Sequence, residues 1–218
     1  MPKILQAYND KNVDFYRNIK LETFKHLATV IGLDTGIDVD VIYPFIKDAD
    51  TLVELGAGYG RVIKALLQRG FKGKIIAIER ITALIEHLSQ NIPEIVVLQQ
   101  QDFKHLQLAI KPAVITWMWS GILELSKDEQ IAMIQHLYEL VAEKGCLIVE
   151  IPRKVKFIGV HVGEQKVKVE TEWGTIEAYL PRHEEMLEYG QLAGFSEIQL
   201  FEYQTTTKLE RSIYMFKK

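Results

Sequence analysis

Thr51-Leu52-Val53-Glu54-Leu55-Gly56-Ala57-Gly58-Tyr59-Gly60-Arg61 is a short apolar run that ends in three glycines at alternate positions. Val62, Ile63, Leu66 and Leu67 follow at helical spacing, so the stretch reads as strand, tight turn and helix. Without a Cβ the turn can take positive φ angles and let a ligand approach the backbone. The dinucleotide fingerprint G-x-G-x-x-G/A asks for a small residue three positions after its second glycine, where it packs the helix that receives a pyrophosphate. Position 61 is Arg instead. The loop is therefore expected to hold something flat or polar against open backbone, without the spacing of the dinucleotide fingerprint.

Working outward, Lys74-Ile75-Ile76-Ala77-Ile78 reads as a buried strand with Glu79 at its carboxyl end. An acid at that tip, about 20 positions past the loop, suits two ribose hydroxyls. Ile95-Val96-Val97-Leu98 is expected as the third strand, Pro112 to Gly121 as a central fourth strand leaving the sheet at Ser120-Gly121, and Cys146 to Ile151 as the fifth. Between them lie helical patterns, one opened by the capping box Ser126-Lys127-Asp128-Glu129. Before the loop, Val13, Tyr16, Ile19, Phe24, Leu27, Ala28 and Ile31 describe one amphipathic helix stopped by Gly32, and a shorter helix runs from Asp38 to Ile46 with Pro44 bending or shortening it. From Lys154 to Leu180 the period changes to two, the mark of an antiparallel β insertion. A helix from Arg182 to Ala193 and a terminal β pair, Phe195 to Tyr203 with Arg211 to Lys218, complete the chain.

With Glu54 two residues before the first glycine, the G-x-G-x-G turn resembles motif I of the class I S-adenosylmethionine-dependent methyltransferases. The segment Gln99-Gln100-Gln101-Asp102-Phe103 is similar to that family's third motif, and Ala193-Gly194-Phe195 before a strand, loop and strand is similar to its ending. The resemblance covers about residues 50 to 218. It implies an α/β fold: a doubly wound, seven-stranded, mostly parallel sheet with an antiparallel last strand, an N-terminal helical lid (1–49) and a Rossmann-like domain (50–218) carrying the β insertion (155–180) over an acceptor pocket. It implies S-adenosylmethionine as cofactor, S-adenosylhomocysteine as product, and no metal. The implied cofactor contacts are Glu54, Gly56, Ala57, Gly58, Gly60, Glu79, Arg80, Asp102, Phe103 and Trp117. Asp102 would take the adenine amino group and Phe103 would cover the ring, and residues 117 to 121, at the carboxyl end of the fourth strand, would lie beside the reacting methyl.

The catalytic group stays unknown. Tyr16, His161 and His183 are candidates for acceptor contact or proton removal, and Tyr8 and Tyr43 are further aromatic candidates in the N-terminal segment. Neither the Asn/Asp-Pro-Pro-aromatic motif of amino-group enzymes nor the Pro-Cys pair of cytosine C5 enzymes follows the fourth strand. With 218 residues, a formal charge of −3 and 25% charged residues, the composition does not favour a nucleic-acid partner. The N-terminus lacks the apolar core of a signal peptide, and the expected location is the cytoplasm without membrane association. Cys146, the single cysteine, lies in an apolar run and reads as a buried structural thiol. The expected activity is methyl transfer to a small molecule. The alternatives are a protein or RNA methyltransferase, a nicotinamide-dependent oxidoreductase, and a non-catalytic cofactor-binding module.

Overall fold

The computed structural model describes residues 9–153 and 160–218; Tyr8 and residues 154–159 lie outside this set, as do the side chains of Asn9, Asp10, Lys11, Val160 and His161. Three helices come first, α1 (Asn9–Asn18), α2 (Leu21–Ile31) and α3 (Ile37–Ile46). Then β1 (Thr51–Leu55), α4 (Arg61–Gln68), β2 (Lys74–Glu79), α5 (Thr82–Asn91), β3 (Val97–Gln100), β4 (Val114–Trp117), α6 (Lys127–Leu140) and β5 (Cys146–Pro152) alternate. The three antiparallel strands β6 (Val160–His161), β7 (Lys166–Thr171) and β8 (Gly174–Tyr179) precede α7 (His183–Ala193), β9 (Glu197–Gln204) and β10 (Glu210–Lys217). The main sheet has seven strands in the order β3-β2-β1-β4-β5-β10-β9, parallel from β3 to β5, with β10 antiparallel to both neighbours. This is the expected doubly wound α/β fold.

Strand alternation builds its two faces. Val53, Leu55, Ile76, Ile78, Ile115 and Trp117 pack under α6 and α7, while Leu52, Ile75, Ala77, Val114 and Ile148 pack under α3, α4 and α5. The third apolar cluster, Val13, Phe15, Ile19, Phe24, Tyr59 and Ile81, lies beyond the carboxyl ends of β1 and β2. There α2 covers the glycine turn through Phe24, and α1 packs beside it in the same cluster. Among the described residues no helix is long and apolar enough to cross a membrane.

Three expectations change. The N-terminal helix is two, because Lys20 is extended (φ −67°, ψ 139°), which frees α1 to pack on β8 while α2 packs on the turn. The shorter helix α3 continues through Pro44. The third strand begins two residues later than expected, since a turn from the Val96 amide to the Pro93 carbonyl (3.0 Å) leaves Ile95 exposed.

Asn12 fixes α1 to β8. Its amide donates to the Glu177 carbonyl (2.9 Å) and accepts from the Glu177 amide (2.8 Å), as a neighbouring strand would. Asn12→Ala removes both bonds, and we expect α1 to lose about 1–2 kcal/mol of local protection. Amide exchange should accelerate in α1 and leave the β1–β5 core unchanged; equal acceleration in both would show that α1 is not a separable unit.

Candidate functional site

At the end of β1 the chain turns through Gly56, Gly58 and Gly60, with φ of 66°, 57° and 86°, into α4. The turn borders a cavity of about 30 Å³ walled by Phe24, Glu54, Gly56, Gly58, Met118 and Trp119. Glu54 falls on the α3/α4 side of β1 and is 2% exposed. The Thr116 hydroxyl bonds its carboxyl and lies 3.2 Å from the Val53 carbonyl. Burial pushes the Glu54 pKa up to about 8, against the Thr116 bond and the Arg61 charge, which both lower it. Folded Glu54 thus keeps its proton where the unfolded chain has lost it. Its contribution to stability is complete below the usual carboxylate pKa of 4.5 and disappears as pH rises from there to about 8. Glu54→Gln should flatten this slope, so that between pH 5 and pH 9 it gains on the order of 2–4 kcal/mol relative to the parent. Denaturation midpoints at the two pH values measure it; parallel pH profiles would refute the assignment.

Arg61, whose presence set the turn apart from a dinucleotide loop, is the first residue of α4. It is buried and donates two bonds to the Asp38 carboxylate (2.7 and 2.6 Å) and one to the Leu33 carbonyl (2.9 Å). Its guanidinium also lies 5.7 Å from the Trp119 ring centre.

Beside the turn a larger cleft, about 300 Å³, is lined by Val13, Arg17, Arg80, Ile81 and Asp102. Glu79, buried at the tip of β2 and next in the chain to Arg80 of that lining, has both oxygens engaged. Oε2 accepts from the Gly58 amide (2.8 Å), and Oε1 from the amides of Arg80 (2.8 Å) and Ile81 (2.9 Å). A carboxylate offers about four lone-pair positions, so one remains on Oε2. Glu79 thus ties the tip of β2 to the glycine turn, which leaves less of its accepting capacity for a ligand than an unbonded strand-end carboxylate would have. Burial raises its pKa, and the three amides oppose the shift.

Arg80 reaches Glu124 at 3.1 Å and Asp102 at 3.5 Å. Glu124 also takes a hydrogen bond from Tyr16, and burial raises the pKa of both groups. Tyr16 is thereby linked through Glu124 to Arg80 of the cleft without lining the cleft itself. Asp102 is partly exposed at the rim and accepts from the Lys104 amide (3.0 Å).

Other expected residues lie elsewhere. Trp117 is 1% exposed and packs on Phe103 with ring centres 5.1 Å apart, both inside the core under α6; neither lines either of these two cavities. Trp119 takes the wall position instead, stacked on Phe24 at 5.2 Å. The alternation that puts Trp117 and Trp119 on one face ends with the β4 ladder, since Trp119 (φ 50°) and Ser120 (φ 64°) adopt left-handed backbone. Such a conformation costs a non-glycine residue of order 1–3 kcal/mol. His183 bonds the Tyr214 hydroxyl (2.9 Å) on β10 and lines neither cavity. His161 contributes its backbone to the pairing of β6 with β7, and Tyr43 donates to the Arg69 carbonyl (2.5 Å). Met118 and Trp119 fall within the stretch 117 to 121 that the sequence places at the site, whereas nothing in the sequence marks Phe24 or Glu124 as site residues. Among the described residues no group of three or more His, Cys, Asp or Glu is arranged to hold a metal.

No protein-family model and no curated protein matches this sequence. Solved structures do match in fold. One is an S-adenosylmethionine-dependent methyltransferase from Clostridium acetobutylicum ATCC 824, with TM-score 0.67 at 14% identity over 90% of this chain and 98% of that one. A second is SAM-bound CalS10, an amino pentose methyltransferase from Micromonospora echinaspora (TM-score 0.59, 15% identity, 99% of both chains). A third is the sugar N-methyltransferase KedS8 from Streptoalloteichus sp ATCC 53650 (TM-score 0.63, 12% identity, 86% of this chain and 88% of that one). At these identities the likeness establishes the fold.

Proposed function

We propose that this chain is an S-adenosylmethionine-dependent methyltransferase acting on a small-molecule acceptor. The observation that carries the reading is Glu79, buried at the tip of β2 and bonded to the Gly58 amide. It brings a ribose-type acceptor and the glycine turn to one place at the carboxyl ends of parallel strands, where ligands of open α/β sheets lie.

The residues present fit such a cofactor. A Cβ at Gly56 would meet nothing within 4 Å, so the turn presents open backbone to a ligand. The remaining lone pair of Glu79 would accept a ribose hydroxyl, and Asp102 at the rim would take the exocyclic amine of adenine. Glu54, which lines the same cavity as Met118, would hold the amino-acid end. Phe24, Tyr59 and Trp119 offer aromatic faces to a cationic sulfur and keep water from it. When bound, the sulfonium supplies an already electrophilic methyl group, so the protein chiefly aligns the acceptor lone pair. Where the acceptor arrives protonated, the Tyr16–Glu124 pair is the group near the cleft that can take the proton. The segment 1–49 and the β insertion serve as the lid, a reading supported by the bonds from Asn12 to Glu177.

A small acceptor is supported by the neighbours described as amino pentose and sugar N-methyltransferases. A nicotinamide reading is disfavoured by Arg61, which with Asp38 occupies the start of α4. Calorimetric titration with S-adenosylhomocysteine and with NADH tests the cofactor; binding of NADH alone would refute the proposal. Labelled S-adenosylmethionine offered with metabolite extract, total RNA and cell protein tests the acceptor. We expect label in the small-molecule fraction, and label confined to RNA or protein would reject a small acceptor.

A further inference from the structure

The left-handed pair Trp119-Ser120 has a support that comes from the far end of the chain. Arg211, at the start of β10, donates through Nε to Glu150 Oε1 and through Nη2 to both Glu150 Oε2 (2.9 Å) and the Ser120 hydroxyl. The Ser120 amide in turn donates to the Glu150 carbonyl (3.1 Å). Tyr203 on β9 adds a bond to Glu150 Oε1 (2.8 Å). Glu150 is 0% and Arg211 5% exposed, so water does not hold these groups in place.

A buried ion pair gains little over apolar side chains of similar volume, because desolvation offsets the attraction. Stability alone therefore does not account for this one. What apolar side chains could not supply is the donor to Ser120, a residue whose positive φ is otherwise disfavoured. We propose that Arg211 and Glu150 are positioning residues that hold Ser120 left-handed and so swing Trp119 out of the line of β4 onto the glycine turn.

The geometry at the other end fits. Trp119 leaves the strand direction at the residue before Ser120, stacks on Phe24 and meets Tyr59 edge-on at 6.3 Å. Trp117, two residues earlier and still in the ladder, points into the core. A Cβ at Gly121 would come within 2.3 Å of Trp117 Nε1, so the chain leaves the sheet tightly against Trp117, with Ser120 fixed on both its amide and its hydroxyl. The wall of the cofactor cavity is thus set by β5 and β10 and not by β4 alone. Glu150 and Arg211 line neither cavity themselves and act only through Ser120.

This inference rests on the cofactor reading above for its meaning, and its test separates the two. The double variant Glu150→Leu/Arg211→Met removes both charges together, and Arg211→Lys keeps the charge but loses the fork that reaches Glu150 and Ser120 at once. Three readings are taken: thermal midpoint, affinity for S-adenosylhomocysteine, and the Trp119 emission of the ligand-free protein, obtained by subtracting the spectrum of the matching Trp119→Phe protein. We expect the double variant to melt within about 5 °C of the parent. It should bind S-adenosylhomocysteine about tenfold more weakly and show Trp119 emission shifted to the red. Arg211→Lys should fall between the two on both affinity and emission. A folded double variant with unchanged Trp119 emission overturns the proposal, as does a loss of affinity that follows the thermal midpoint while the emission stays fixed. If the parent itself fails to bind S-adenosylhomocysteine, the cofactor reading fails, and the ligand-free emission still decides whether Arg211 and Glu150 position Trp119.

Discussion

Gly58→Val is expected to abolish cofactor binding, with a loss of more than about 4 kcal/mol, roughly a thousandfold, in a protein that still folds. A Cβ at Gly58 would lie 3.5 Å from Phe24 Cε1, an ordinary contact, so the fold has room for it. The backbone penalty is that of a β-branched residue at φ 57°, about 1–2 kcal/mol. The branch would stand over the turn between Phe24 and the cofactor position, and its Gly58 amide would be less free to reach Glu79. Gly60→Val is the contrasting control. Its Cβ would come within 2.8 Å of Leu88 Cδ2 and 2.9 Å of Ile92 Cδ1, inside the core between α4 and α5. Overpacking and positive φ together should destabilise that variant by about 2–4 kcal/mol. Titration with S-adenosylhomocysteine beside chemical denaturation separates the cases. Gly58→Val binding within tenfold of the parent would mean that the ligand does not approach through this turn.

Glu79→Ala is expected to have the second largest effect, and to act on stability as well as binding. The variant leaves the amides of Gly58, Arg80 and Ile81 without their shared acceptor. Some regain water, but Ile81 is buried, and a stability loss of about 2–4 kcal/mol follows from groups whose desolvation is no longer compensated. Affinity should fall by a further 1.5–3 kcal/mol or about that, the scale for removing a charged hydrogen-bond partner. Glu79→Gln keeps one oxygen for Arg80 and Ile81 but turns an NH2 group toward the Gly58 amide, so it should restore stability more than affinity. An alanine variant with full affinity would remove Glu79 from the ribose. One with full stability would show that the tie between β2 and the turn carries no load.

Local chemistry made much of this protein legible in one dimension. The apolar run into three glycines, the acid at the tip of β2, the capping box at Ser126 and Glu129 and the glycine stops at Gly32 and Gly194 are each written within a few neighbouring residues, and each stands in the structure as read. The doubly wound sheet follows from them, since parallel strands joined by helices have few ways to pack. Periodicity, however, reports that a side chain is buried without saying against what. It could not tell Trp117 in the core from Trp119 on the turn, because that depends on where the β4 ladder stops. It could not break the N-terminal helix at Lys20, because the reason for the break is β8, more than 150 residues away (Asn12 and Glu177 are 165 apart). It gave no hint that the two oxygens of Glu79 are largely taken by backbone amides. His183, attractive as an isolated residue, is claimed by Tyr214 across 31 positions, and Arg211 reaches Ser120 across 91. Pairings at such separations are set by the order of strands in the sheet, which only the folded chain possesses, and they decide which of the residues named by the sequence meet at the glycine turn.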